Sequence, residues 1–255
     1  MRLPVTLTES SVLAVIPARY DSTRFPGKAL ANLDGHPMIE HVYRRASSAA
    51  LVHGTIVATD DERIARAVES FGGAVIMTRR DHTSGTDRIA EVVAALPCRV
   101  VVNVQGDEPL LEPSTIDAAV QPLLDDATLD MSTLCRPFAD SHEFNSPHVV
   151  KVVCDNRGRA LYFSRALIPA SSAHVGLYVY RRDVLLRLAA LPPAPQEEAE
   201  KLEQLRALSH GIGIRVIKTG HTSPGVDTPE DLERVRQLMA AAPHKGVPYM
   251  TAART

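Results

Sequence analysis

Long apolar runs, paired cysteines and an excess of basic charge are all missing from this chain of 255 residues. No apolar stretch approaches the roughly 18 residues that a membrane span needs, and residues 1–10 lack the apolar core of a signal peptide. Cys98, Cys135 and Cys154 are widely spaced, without a Cys-x-x-Cys pair, which is typical of reduced thiols. These absences predict a cytoplasmic protein that does not contact membranes.

The charge balance argues against a further class of protein. Lysine and arginine number 28 against 30 aspartate and glutamate residues, which gives a formal net charge of -2. A general nucleic-acid binder would carry a basic excess, so we expect no nucleic-acid partner. A small anionic substrate stays compatible with this balance, because it needs only a few local cations.

Short apolar runs alternate with amphipathic stretches through the first half of the chain. The apolar runs predict buried parallel strands at residues 12–16, 55–59, 74–77 and 100–104. Helices are predicted at residues 37–50 and 60–71, the second capped by Asp60, and a third is marked by Ile89, Val92, Val93 and Leu96. The alternation predicts an α/β fold with a doubly wound, mostly parallel sheet, which binds ligands at the carboxyl ends of its strands.

The second half of the chain predicts a smaller, mixed α/β part. Strands are expected at residues 131–135, 149–153, 161–163, 175–180 and 214–218, and a helix at residues 197–210. A last helix begins with Thr228 as N-cap, Pro229 in the first turn and Asp231 closing a capping box. Without a clean linker, residues 1–239 are expected to form one domain, divided at about residues 12–130 and 131–226, with residues 240–255 as a tail.

A loop rich in cations and hydroxyls follows the first predicted strand. Arg19, Ser22 and Lys28 lie in this segment, which offers backbone N–H donors and positive charge to a triphosphate. A solvated basic loop is the alternative. The segment matches neither a Walker loop nor the G-x-G-x-x-G fingerprint, which argues against P-loop hydrolysis and against an NAD-dependent oxidoreductase.

Small polar residues open the helix that follows the third predicted strand. Ser84, Gly85 and Thr86 could dock a base or a ribose there. An N-capping turn formed by Thr83 or Ser84 explains the same residues equally well. The segment alone does not decide between these interpretations.

Two carboxylates lie at the ends of predicted elements. Asp107 stands at the tip of a buried strand, where Gly106 allows a close approach, and Asp227 precedes the last helix. Hard oxygen ligands of this kind suit Mg²⁺, which takes one or two carboxylates together with substrate phosphates. Helix entry alone could explain Asp227, but Thr228 already supplies the cap.

Several motifs in consistent order resemble one family. The chain is similar to the 3-deoxy-manno-octulosonate cytidylyltransferases, over about residues 12–239. The segments that carry the resemblance are residues 17–30, 79–88, 103–109, 162–165, 174–178, 202–206 and 225–230. The resemblance implies a nucleotide-diphospho-sugar transferase-like fold with a sugar-binding and dimerisation part, and an enzyme that transfers CMP from CTP to the sugar acid Kdo for lipopolysaccharide synthesis.

The resemblance also implies roles for individual residues. The residues that it implies for nucleotide binding are Arg19, Ser22, Lys28, Arg79, Ser84, Gly85, Arg88 and Gln105. Those that it implies for binding the sugar acid are Gln105, Arg165, His174, Tyr178, Glu203 and Gln204. Asp107 and Asp227 would hold Mg²⁺ and, with Arg19 and Lys28, carry catalysis in an expected homodimer. The alternatives are a structural histidine at position 174 and a plain helix surface at Glu203 and Gln204.

One segment departs from the family pattern. Only residues 170–173 separate Ile168-Pro169 from His174, where family members usually have a longer loop, and Ala173 stands where an arginine is common. A shorter loop beside the sugar site could change the preference among sugar acids or weaken dimer contacts. A cytidylyltransferase for amino-Kdo or a sialic-acid-like acceptor, and a CTP-binding protein without turnover, therefore remain rival hypotheses.

Overall fold

The computed structural model of the protein describes residues 6–21, 24–221 and 223–241. The strands are β1 (Val12–Ala18), β2 (Asn32–Leu33), β3 (His36–Pro37), β4 (Gly54–Thr59), β5 (Val75–Met77), β6 (Val100–Asn103), β7 (Met131–Arg136), β8 (Lys151–Cys154), β9 (Ala160–Ser164), β10 (Ser172–Arg181) and β11 (Ile214–Lys218). The α-helices are α1 (Met38–Ser47), α2 (Glu62–Ser70), α3 (Gly85–Ala94), α4 (Pro113–Asp125), α5 (Ser141–Asn145), α6 (Arg182–Ala189), α7 (Pro195–Glu200), α8 (Gln204–Ser209) and α9 (Pro229–Ala241).

The main sheet places its strands in the order β11-β7-β10-β6-β1-β4-β5 within the described residues. Strands β6, β1, β4 and β5 run parallel, as do β7 and β11. β10 is antiparallel to both β6 and β7, and β8 and β9 extend from it as an antiparallel pair. The predicted mostly parallel sheet with a smaller mixed part is confirmed, whereas the division of the chain at about residue 130 stays a prediction.

Amphipathic helices cover both faces of the sheet with their apolar sides, as a doubly wound fold requires. Successive side chains of a strand point to opposite faces, and β1 is apolar on both. Leu13 and Val15 pack in one core cluster, which contains the apolar faces of α3 and α6. Val12 and Ile16 pack in a second cluster, which contains those of α1, α2 and α4. The carboxyl ends of β1 and β6 are thereby fixed between two packed layers.

A third, smaller cluster joins the last helix to the beginning of the fold. Val226 and the α9 residues Leu232 and Val235 pack with Leu33 and Met38. Thr228 caps α9 as predicted, since its Oγ1 accepts from Asp231 N at 3.2 Å while Asp231 Oδ2 accepts from Thr228 N at 3.0 Å. The contact holds α9 and the residues just before it near the carboxyl ends of β1 and β6.

Two local predictions are wrong. Asp61, and not Asp60, caps α2 by accepting from Arg63 N at 2.9 Å, because Asp60 instead forms an ion pair with Arg88. The single helix predicted at residues 197–210 is two helices, α7 and α8, because Lys201 adopts a left-handed conformation with φ of 55°. The break places Glu203 and Gln204 at the start of α8.

None of the described helices combines the length and the apolar character that crossing a membrane requires. The three cysteines are free, with Cys98 and Cys135 buried and Cys154 half-buried. The thiols are thus unpaired, as their spacing predicts.

Candidate active site

A cavity of about 370 Å³ lies at the carboxyl ends of β1 and β6. The predicted site residues that line it are Arg19, Lys28, Ser84, Gly85, Arg88, Gln105, Asp107 and Asp227. Arg24 and His82 contribute further basic groups to the same wall. Ser22, predicted to bind the nucleotide, lies outside the described residues. The structure therefore brings segments from four distant parts of the sequence to one edge of the sheet.

Lys28 joins the two predicted metal carboxylates. Its Nζ donates to Asp107 Oδ2 at 2.7 Å, to Asp227 Oδ1 at 3.1 Å and to the Val226 carbonyl at 3.1 Å. A lysine ammonium has three protons, so these bonds use all of them. Burial lowers the pKa of Lys28, but the two carboxylates outweigh burial and the pKa is raised. Asp107 and Asp227 thus converge on a single cation.

Backbone contacts hold both carboxylates in place. Asp107 follows Gly106, where a Cβ atom would lie 3.1 Å from the Pro17 carbonyl oxygen, so a side chain there would require the backbone to shift by a few tenths of an ångström. The loop before α9 is tied to the same point, because Val226 N donates to the Asp107 carbonyl at 2.9 Å. Asp227 leaves capping to Thr228, and its carboxylate also forms an ion pair with Arg24 at 2.9 Å.

The donor set fits a hard divalent cation. Two carboxylates converge on one ammonium, which shows that this position stabilises positive charge. Across the described residues, no cluster of three or more His, Cys, Asp or Glu side chains could hold a metal unaided. Mg²⁺ commonly binds through one or two carboxylates and completes its shell with water and phosphate oxygens. The site therefore suits a metal that arrives with a nucleotide.

The two predicted arginines of the second loop differ in position. Arg88 is buried, borders the cavity, and donates from Nη1 to Thr78 Oγ1 while pairing with Asp60 at 3.3 Å. Arg79 is exposed, and its Nε lies 3.6 Å from both Asp81 and Glu91. Among the described residues, Arg79 is not part of the lining of this cavity. Its contact with a nucleotide stays a prediction.

A second cavity of about 110 Å³ adjoins the first and shares Pro17, Gly85 and Gln105 with it. Its lining includes four residues predicted to bind the sugar acid, which are Gln105, Tyr178, Glu203 and Gln204. It also includes four that the sequence did not single out for this role, which are Thr86, Asn103, Tyr180 and Leu188. An irregularity in β10 between Val175 and Tyr178 shifts the pairing with β7. Such bulges re-aim side chains, and Tyr178 here faces the cavity.

The second cavity offers both acceptors and donors. The Glu203 carboxylate accepts from Ser84 Oγ at 3.0 Å and from Thr86 Oγ1 at 2.8 Å. Gln204 is buried, and its Nε2 has no hydrogen-bond partner among the described residues. A buried amide without a partner is unfavourable unless a ligand supplies one. The cavity is therefore suited to a molecule that carries hydroxyl groups.

Two predicted sugar-binding residues, Arg165 and His174, are not part of the lining of these two cavities. The Arg165 guanidinium donates to the carbonyls of Pro147 and Glu200, each at 3.2 Å. The His174 ring lies between Phe163 and Tyr178, at centroid distances of 5.0 and 5.5 Å. His174 Nε2 is 2.9 Å from Thr133 Oγ1. These contacts fit the structural alternative for His174, and direct contact with the substrate stays a prediction.

The enclosure of His174 predicts a pH dependence of stability. Burial lowers the pKa of His174 to about 3, below its unfolded value of about 6.5. As the pH falls, His174 is therefore protonated in the unfolded chain before it is protonated in the folded one. The contribution of neutral His174 to stability is fully present above pH 6.5 and is lost progressively as the pH falls toward 3. We expect wild type to lose about 1–2 kcal/mol more unfolding free energy than His174→Gln between pH 7.5 and 5.0, as measured by urea denaturation. Equal losses would contradict this placement.

Two further residues near the first cavity, Glu108 and His82, are not marked by the sequence patterns. Burial, and then the charge of Asp107, raise the pKa of Glu108 to about 8, which favours its neutral form at pH 7. His82 lines the cavity and its Nε2 contacts Glu91, a carboxylate that also accepts from Arg79 N at 3.3 Å. Both residues lie inside segments that the sequence marks as functional. The surroundings of these two side chains form only in the folded chain, however, so the local sequence does not reveal them.

Comparison with known proteins places this geometry in a family. The model of the cytidylyltransferase family matches residues 13–214. The 3-deoxy-manno-octulosonate cytidylyltransferase of Geobacter sulfurreducens is 54% identical over 248 residues, which cover 90% of this chain and 99% of that protein. The enzyme of the same name from Pelobacter propionicus is 53% identical, over 92% of this chain and 100% of that protein.

A solved structure agrees with the sequence relatives. The CMP:2-keto-3-deoxy-manno-octonic acid synthetase in complex with CTP superposes with a TM-score of 0.88 at 48% sequence identity. The match covers 91% of this chain and 99% of that one. The chain therefore belongs to the cytidylyltransferase family and, within it, to the 3-deoxy-manno-octulosonate cytidylyltransferases.

Proposed function

We propose that this enzyme transfers CMP from CTP to the anomeric hydroxyl of 3-deoxy-D-manno-octulosonate (Kdo), with release of pyrophosphate. The observation that carries the proposal is the pair of adjoining cavities, one with Lys28 between two carboxylates and one with an unpartnered amide. The relatives named for this reaction, which align over nearly their whole length, support the same substrates. The product is the activated sugar for lipopolysaccharide biosynthesis.

The first cavity holds CTP in this proposal. Arg19 and Lys28 neutralise the phosphates, and Arg79, Ser84, Gly85 and Arg88 surround the rest of the nucleotide. Arg19 and Lys28 line the cavity from the segment after β1, while Ser84 and Gly85 form the N-terminal turn of α3. A helix N-terminus favours negative charge through its free N–H groups. The nucleotide as a whole would therefore meet positive charge from two sides.

Asp107 and Asp227 would hold Mg²⁺ in the loaded enzyme. Bound there, a divalent cation would offset negative charge on the phosphates and would lower the pKa of a nearby sugar hydroxyl. The hydroxyl oxygen bonds to the α-phosphorus, the bond between the α-phosphorus and the bridging oxygen breaks, and the hydroxyl proton is released. Arg19 and Lys28 stabilise the charge that accumulates on the leaving group. No residue is assigned as a dedicated general base.

The second cavity holds Kdo in this proposal. Tyr178, Glu203 and Gln204 offer hydrogen bonds to the sugar, and Gln105 borders both cavities. Arg165 and His174 are assigned to the same substrate by resemblance to the family. Adjoining cavities bring the sugar hydroxyl and the α-phosphorus together, and orientation of this kind can lower a barrier by several kcal/mol.

We also propose a cytoplasmic homodimer. Leu161 in β9 and Leu167 just after it are large apolar side chains that are 59% and 54% exposed. A second copy of the chain could cover them, as the family resemblance implies. Sedimentation of the purified protein should give twice the mass of the chain, and a monomer at micromolar concentration would contradict the proposal.

A panel of acceptors and nucleotides tests the proposed reaction. Purified protein is incubated with Mg²⁺, each of the four nucleoside triphosphates, and Kdo, 8-amino-8-deoxy-Kdo or a sialic acid, while pyrophosphate release is measured. We expect release only with CTP, and fastest with Kdo. Turnover confined to another sugar acid would show that the short segment at residues 170–173 has changed the acceptor. Tight CTP binding without any turnover would identify a binding protein.

A further inference from the structure

Thr86 makes a contact that helix formation does not require. Ser84 alone caps α3, because its Oγ accepts from Asp87 N at 3.1 Å. A threonine hydroxyl within a helix commonly bonds to a carbonyl of the preceding turn. The hydroxyl of Thr86 instead donates to Glu203, which is 117 positions away along the chain. The contact is therefore a tertiary one, which the local geometry of the helix does not require.

The hydrogen bonds to Glu203 are divided between its two oxygens. Thr86 Oγ1 donates its only proton to Oε2 at 2.8 Å, and Ser84 Oγ donates its only proton to Oε1 at 3.0 Å. A carboxylate has about four lone-pair sites, so further acceptor capacity remains for a ligand in the second cavity. The two hydroxyls fix the plane of the carboxylate and leave it able to accept more hydrogen bonds.

Burial makes the contact with Thr86 hard to replace. Thr86 is 2% exposed, so its hydroxyl is shielded from bulk solvent. Glu203 lies at the N-terminal end of α8, directly after the break at Lys201, and has no side-chain bond that caps this helix. Among the described residues, the hydroxyls of Ser84 and Thr86 are the side-chain donors that hold the Glu203 carboxylate toward the cavity.

We propose that Thr86 is a positioning residue for sugar-acid recognition, which acts with Ser84 to hold the Glu203 carboxylate so that it accepts hydrogen bonds from sugar hydroxyls. The inference rests on the proposed function and deepens it. Because Ser84 lines the first cavity and Glu203 the second, the N-terminal turn of α3 links the nucleotide side to the sugar side.

A matched pair of variants tests the role of Thr86. Thr86→Val keeps the shape and removes the hydroxyl, while Thr86→Ser keeps the hydroxyl. We expect Thr86→Val to raise the KM for Kdo about 10-fold, with the Kd for CTP changed less than about 2-fold, and Thr86→Ser to restore most of the loss. Thr115→Val is the control, since Thr115 is also a buried helical threonine, and its hydroxyl has no partner in the described residues.

A pH profile separates positioning from simple packing. Burial raises the pKa of Glu203, and the Thr86 and Ser84 hydroxyls oppose that rise. Removing the Thr86 hydroxyl should therefore move the acid limb of kcat/KM for Kdo to higher pH. Arg206 and Asp87 are the charged groups that face Glu203, beside Tyr178 and Tyr180, and all four remain in every variant. Loss of packing alone would lower the rate without moving this limb.

The outcomes distinguish this proposal from the proposed function. Wild-type protein that releases no pyrophosphate from CTP with any sugar acid would contradict the proposed function and the inference that rests on it. Normal wild-type turnover, with a KM for Kdo in Thr86→Val that matches wild type, would contradict the positioning role alone. An equal loss in Thr86→Val and Thr115→Val, or a failure of Thr86→Ser to restore the KM, would also overturn it. Melting temperatures of all four proteins verify that they are folded.

Discussion

Replacing Asp107 with asparagine should lower kcat for CMP transfer by about 10³-fold or more while the protein stays folded. Asparagine has the same shape but no charge, so it removes one of the two carboxylates that converge on Lys28. Mg²⁺ binds a neutral amide oxygen far more weakly than a carboxylate, and charge on the leaving pyrophosphate would no longer be offset. Pyrophosphate release at saturating CTP and Kdo measures the effect.

The control for this variant is Asp140→Asn, which lies at the N-cap of α5 outside both cavities. Asparagine caps helices as well as aspartate does, so this protein should retain wild-type kcat. Circular dichroism and thermal melting verify that Asp107→Asn is folded. A fully active Asp107→Asn protein would remove this residue from the metal site.

Lys28→Met should impair the use of CTP much more than the use of Kdo. Methionine keeps most of the aliphatic length but removes a charge that is proposed to bind the triphosphate. Charged hydrogen bonds of this kind contribute about 1.5–3 kcal/mol, so kcat/KM for CTP should fall roughly 100-fold. The KM for Kdo should change less than about 3-fold, since the second cavity does not include Lys28.

Two features make the Lys28 prediction specific. In wild type the ammonium separates Asp107 from Asp227, so its removal leaves two carboxylates facing each other until a metal binds. Lys218→Met, at the end of β11 and outside both cavities, is the matched control. A change confined to the KM for Kdo would show that the segment after β1 does not bind the phosphates.

The sheet and most of the first cavity follow from local patterns. Buried parallel strands are continuous apolar runs, and residues 12–16 and 100–104 predict β1 and β6 nearly to their ends. Because parallel strands end at the same edge, the segments that follow β1 and β6 are expected to meet there, and they carry Lys28 and Asp107. The position of Asp227 is harder to predict. It lies beside Asp107 only because Val226 and α9 pack against Leu33 and Met38.

The second cavity could not be predicted in the same way. Periodicity gives one helix at residues 197–210, but the left-handed Lys201 divides it and redirects Glu203. Asp60 and Asp61 are equivalent as caps in the sequence, and only the ion pair with the distant Arg88 decides between them. Helices α4, α5 and α6 have no counterpart among the predicted elements. The choice between Asp60 and Asp61 is a case where a tertiary contact outweighs local preference.

The position of a bound metal tests the account most directly. Crystals grown with Mn²⁺ and a CTP analogue that resists cleavage at the α-phosphorus would locate the ion through its anomalous scattering. We predict a peak within coordination distance of the carboxylates at positions 107 and 227, with the ammonium of residue 28 displaced toward the phosphates. An ion bound only to the nucleotide, with neither carboxylate in its coordination shell, would contradict the proposed mechanism.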